Sequence, residues 1–252
     1  MKHRTIDITN LVEIRSKSFA YFFLSFSIAI LISALFIILA MIFYPGGNLL
    51  DNYQEDFSLL FNGLCDIREP TAINGEPNLA SSIMLKLGIT IFTFASMSFF
   101  VILSFFFQKK RSTKYLSIIG SFFGALQTPF YIMIFFLHST YEFHMFLVVI
   151  APLLQYLTVI LYSIVFLIDR RFPKTAQYSL LVLAIVSILF SILVGIVSGI
   201  GGQIHYVTNR LGTNLFNFLT IIIYVLLGFL LYFYLRKTNQ TNTSANQKIH
   251  TI

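Results

Sequence analysis

An all-α integral membrane bundle of six transmembrane helices is the fold class this sequence predicts, and three observations predict it. Apolar residues make up 57% of the 252 and charged residues only 11%, about half the charge of an ordinary soluble domain. Mean hydropathy is +0.81. The apolar residues also fall into six uncharged blocks, each long enough to cross a bilayer core of about 30 Å. Without water to satisfy backbone groups, such blocks must be helices, and the period-2 alternation of a membrane barrel is absent.

The first block, 19–44, is too long for a signal-peptide core and lacks a small-residue cleavage flank, so it reads as a retained first span. The other spans are expected at about 87–107, 115–137, 145–168, 178–201 and 215–235. Residues 1–18 form a short N-terminal segment in which Asn10 and Glu13 fit a capping box. Pro45-Gly46-Gly47 should stop span 1 and begin an outer loop over 45–80. Within that loop Tyr53, Phe57, Leu60, Phe61 and Leu64 recur at helical spacing between an Asp51 cap and a Gly63 stop. They predict a short amphipathic helix, either lying on the outer surface or acting as a lid. Pro70, Asn74-Gly75 and Pro77 make the next stretch a turned loop, with Asn78 or Ser81 capping span 2. The Asn/Thr-rich tail 238–252 reads as disordered.

Orientation follows from charge. The N-terminal segment, the loops after spans 2 and 4 and the tail hold fourteen of the seventeen Lys and Arg residues. The opposite side holds seven of the ten acids, against only Arg68, Lys86 and Arg210. Both termini are therefore expected in the cytoplasm, with the long loop outside, most simply in the plasma membrane. The net charge of +7 is a topology signal plus attraction to anionic lipid heads, and calls for no nucleic-acid partner.

Within the spans, Ser187, Ser191, Gly195 and Gly199 in span 5 and Gly120 and Gly124 in span 3 form small-residue faces. These suit close helix packing, within the chain or between copies of it. No charge lies in the middle of a span. Gln127 and Gln155 stand at similar depth in spans 3 and 4, near Pro129 and Pro152, and could meet as polar glue or line a ligand site. Lys86 lies a turn or two inside span 2 and should snorkel outward or pair with Asp66 or Glu69.

Chemistry is expected on the loop side. His138 and His144 flank the connection between spans 3 and 4, and His205 lies between spans 5 and 6. All three should emerge beside Asp66, Glu69, Asn74, Glu76 and Asn78. His138, His144 and His205 with Asp66 would suit Zn²⁺ or a similar ion, but their spacing matches no zinc motif, and the same groups suit a lipid head or polar solute. No nucleophile elbow, phosphate-cradling glycine loop or His-Glu-x-x-His occurs, and the sequence names no particular cofactor. Cys65 is the single cysteine, so no internal disulfide can form.

The run Phe61-Asn62-Gly63-Leu64-Cys65-Asp66, then Asn74-Gly75-Glu76-Pro77-Asn78 and a serine pair before span 2, resembles a prokaryotic six-span family of unknown function. That family looks related to the FRAG/DRAM/Sfk membrane proteins, some of which act in lipid and GPI-anchor handling. Pro45-Gly46-Gly47 and a His at the start of span 4 also fit. Cys65 stands where the family has Ser, and Ile67-Arg68 where it has Leu-Gly. The resemblance points to Asp66, Asn74, Asn78 and His144, and to membrane lipid as the partner. Two further classes stay open: a small-solute transporter or channel using Gln127, Gln155 and Asn217, and a metal-dependent membrane hydrolase. A scaffold associating through its small-residue faces is a third.

Overall fold

The computed structural model describes residues 8–137, 141–200 and 202–249, with side chains described at most positions from Lys17 onward. Among them the protein is a bundle of six long apolar helices with no strands. In chain order these are α1 (Ile8–Ile42), the single turn α2 (Leu64–Ile67), α3 (Leu79–Ser104), α4 (Arg111–Phe136), α5 (Tyr141–Ile168), α6 (Lys174–Ile200) and α7 (Gly202–Ile249). Stretches of α1, α3, α4, α5, α6 and α7 are long and apolar enough to cross a bilayer. Each long helix packs on its sequence neighbour, and α7 returns to α1, so the six close into a ring.

Small residues let the helices approach. A Cβ at Gly120 would touch Tyr162 at 3.0 Å, and one at Gly124 would meet Phe100 at 3.1 Å, so this stripe is used inside the bundle. Gly88 and Gly228 do the same for α1. The Ser33 hydroxyl donates to the Gly88 carbonyl at 2.8 Å, and that of Ser27 to the Val225 carbonyl at 3.0 Å. Ser187 is buried and bonds back to Leu183. Aromatic rings fill the centre: Phe92 stacks on Tyr224 (5.8 Å between centroids), Tyr224 packs on Phe100 (5.9 Å), Phe100 on Tyr162 (5.1 Å) and Phe107 on Phe172 (5.4 Å).

Several boundaries differ from expectation. α1 is already helical at Ile8, upstream of the proposed Asn10 cap. α3 begins at Leu79 rather than 87, and α7 at Gly202 rather than 215, because polar residues occupy their first turns without breaking them. α7 also runs to Ile249 through the tail expected to be disordered, where neither Pro nor Gly interrupts it. No amphipathic helix forms over 51–63. Asp56 takes φ 60°, which a helix does not tolerate, and Tyr53 is 93% exposed. Gly63 starts the α2 turn instead of ending a helix.

Candidate functional site

The 36-residue connection between α1 and α3 is built by its own polar side chains. Gly46 and Gly47 have φ of 120° and 81°, and a Cβ on either would collide with the backbone of Gln54 or Asn74. Asn62 is the hub. Its amide donates to the Gly47 carbonyl at 2.7 Å and accepts from the Ser58 amide at 3.0 Å. Asn74 and Asn78 serve the loop's architecture. The Asn74 amide bonds Pro45 O at 2.9 Å, and that of Asn78 bonds Ile67 O and Glu69 O, each at 2.8 Å. Asn78 is the N-cap residue of α3, but its side chain caps α2 and the turn after it, and Ser81 bonds Ala40 O. Glu76 is exposed at the Asn74-Gly75 turn.

Two arginines then fasten this loop to the bundle. Arg68 donates from Nε to Glu69 at 2.8 Å and from Nη1 to Ile134 O of α4 at 3.0 Å. The same Nη1 lies 2.6 Å from His144 Nδ1 of α5. A guanidinium has no lone pair, so Nδ1 accepts, and the neutral ring carries its proton on Nε2. Arg210 of α7 pairs with Asp66 at 3.2 Å and lies over the Tyr206 ring at 5.2 Å. Asp66 also accepts from the Gly63 amide at 2.9 Å, closing the first turn of α2. Burial raises the Asp66 pKa despite the opposing effect of Arg210 and the Gly63 amide. Asn214 and Tyr206 of α7 complete the attachment, donating to Asn62 O at 2.9 Å and Phe61 O at 2.6 Å.

Beneath α2 lies a cavity of about 180 Å³ in the middle of the ring. Gly63, Leu64 and Cys65 roof it, and Asn209, Arg210 and Thr213 stand beside them. Its walls are apolar, from Ile37, Ile89, Phe92, Ile134, Phe135, Val148 and Ile221, and its deeper polar groups are Tyr131, Gln155, Asn217 and Thr220. α7 thus presents a stripe at 209, 213, 217 and 220, spaced for one helical face.

The expected site residues divide accordingly. Asp66, Glu69 and His144 come together with the two arginines, while Asn74 and Asn78 shape the loop. Lys86 is half-buried and makes no ion pair among the described residues, since Arg68 and Arg210 take the two carboxylates it was expected to meet. Gln127 and Gln155 do not bond each other. Gln155 accepts from the Tyr131 hydroxyl at 2.6 Å, and Gln127 Oε1 is buried without a partner among the described residues. His138 and the side chain of His205 lie outside the described residues. Among the described residues no three His, Cys, Asp or Glu are grouped to hold a metal. Sequence reasoning passed over Asn62, Arg68, Arg210 and Asn214 as site-builders. The signal was present in the two arginines, being cations on the acidic side.

Six apolar helices in a closed ring, with a polar loop pinned across one end, define a multi-pass integral membrane protein. Comparison with family models, curated proteins and solved structures gives no match.

Proposed function

We propose that the protein binds a membrane-derived amphiphile in the cavity under the first loop, and that it handles lipid there. One observation carries this reading: the cavity is apolar-walled, placed inside a membrane bundle, and roofed by a loop with charged and amide groups at its rim. The resemblance to the FRAG/DRAM/Sfk proteins agrees with a lipid partner. The loop end would face away from the cytoplasm, with both termini inside, as the charge bias favours. Conduction draws less support, because packed rings from Phe92 through Tyr224 and Phe100 to Tyr162 fill the bundle beyond the cavity.

Native mass spectrometry of the protein released from lipid discs tests the proposal. The wild type should retain a defined lipid adduct, and Val148→Trp, which fills the cavity wall, should lose it while keeping its melting temperature. A bare wild-type protein, or an adduct unchanged in Val148→Trp, would overturn the reading.

A further inference from the structure

We propose that the cavity selects a small uncharged ligand group, a single ring or branched body bearing a hydroxyl or carbonyl, and that Asn217 rather than Arg210 recognises it. This rests on reading the cavity as a binding site and names the chemistry that site accepts.

Asn217 lines the cavity and has no hydrogen-bond partner among the described residues. Of the other deep polar side chains, Gln155 accepts from Tyr131 through Oε1 and Thr220 donates to Phe216 O at 2.9 Å, which leaves Asn217 as the amide with neither end engaged among the described residues. Asn217 lies eleven residues along α7 from Tyr206, about 16 Å of helix into an apolar span that runs on to Thr238. A charge delivered to that depth would find only neutral groups around it, which makes an ionised head a poor fit. An amide can donate and accept at once, so a hydroxyl or carbonyl satisfies it without cost in charge.

Arg210 is less suited to recognise the ligand. It stands two turns closer to the loop, and its charge is balanced by Asp66 at 3.2 Å. Size sets the remaining limit. A protein cavity of about 150 Å³ holds benzene, so about 180 Å³ holds one ring with a short polar substituent. The rings of Phe92, Tyr131 and Phe135 among the lining residues suit such a body. For a longer amphiphile this is the part that enters the protein.

Three fluorinated probes of one shape separate the terms: 4-fluorotoluene, 4-fluorobenzyl alcohol and 4-fluorobenzoate. Their fluorine NMR relaxation is followed in lipid discs with and without the protein. The alcohol should bind saturably, about tenfold tighter than the toluene, as expected for a satisfied buried amide, and the benzoate should not saturate. Asn217→Leu should abolish the alcohol's advantage and keep toluene binding, while Asn217→Ser, a milder change if the leucine variant misfolds, should reduce that advantage. Equal binding of alcohol and toluene, an advantage that survives in Asn217→Leu, or tightest binding of benzoate would each overturn the proposal. If none of the probes binds while the lipid adduct persists, Asn217 recognition fails and the lipid-binding reading stands.

Discussion

A methyl group on Gly63 would run into the Arg210 guanidinium. To avoid it the arginine has to swing away from Asp66, whose side chain is 8% exposed. Gly63→Ala should therefore cost about 1–3 kcal/mol, the scale of a lost charged hydrogen bond, and Arg210→Met should cost a similar amount. Combining the two should add little, because both remove the same pair. Additive losses in melting experiments would show that Gly63 acts through something other than Arg210. Next to this pair, burial pushes the Cys65 thiol up to about 11. At neutral pH it is uncharged, so Cys65 is not an activated nucleophile. The roles of Arg68 and Arg210 were partly legible: a cation on the acidic side of a membrane protein has oxygen partners within reach. Which oxygen was not legible, since Arg68 spans from the loop to α4 and α5 through contacts 66 and 76 residues apart.

At the level of elements, the far end of the bundle is fastened by the short link between α5 and α6. Arg171 chelates Asp169 and donates to Phe106 O at 2.7 Å, while the Tyr234 hydroxyl of α7 donates to Arg171 O at 2.7 Å. The Arg171 hydrogen bonds hold the Asp169 carboxyl below its usual range. A depressed carboxyl pKa contributes stability that is full above the unfolded value of about 3.9 and is lost as pH falls through the folded value. Asp169→Asn should cost about 1 kcal/mol at pH 7, because Arg171 is nearly half exposed. The gap in melting temperature from wild type should close below about pH 4; a gap constant from pH 7 to pH 3 would exclude this pair as its source. The spans themselves were legible because a block of about twenty uncharged apolar residues leaves little choice in lipid. The starts of α3 and α7 were not, because a search for apolar blocks sees only the part of a helix that meets hydrocarbon. The loop misled for another reason. Its aromatic spacing fits a helix, but Asn62, Gln54 and Asn48 supply side-chain bonds that replace the helical ladder.

Across the whole molecule, the charge pattern makes a prediction that the ring itself does not address. Glu76 is exposed at the loop end. In intact cells and with Cys65 replaced by Ser, Glu76→Cys should react with a membrane-impermeant maleimide, and Lys237→Cys should react only after permeabilisation. The reverse pattern would invert the orientation. The neighbour order from α3 to α7 could be expected from short connections, but closure of α7 onto α1 could not, since Gly228 and Ser27 carry no mark that pairs them. That closure has a consequence for biogenesis. About 200 residues separate Ser27 from Gly228, so at the usual 5–20 residues per second a ribosome takes roughly 10–40 s to deliver the second partner after the first. Throughout that interval the seam side of α1, with its serine hydroxyl, faces lipid or the insertion machinery. The helix that shields α1 is one made long after it.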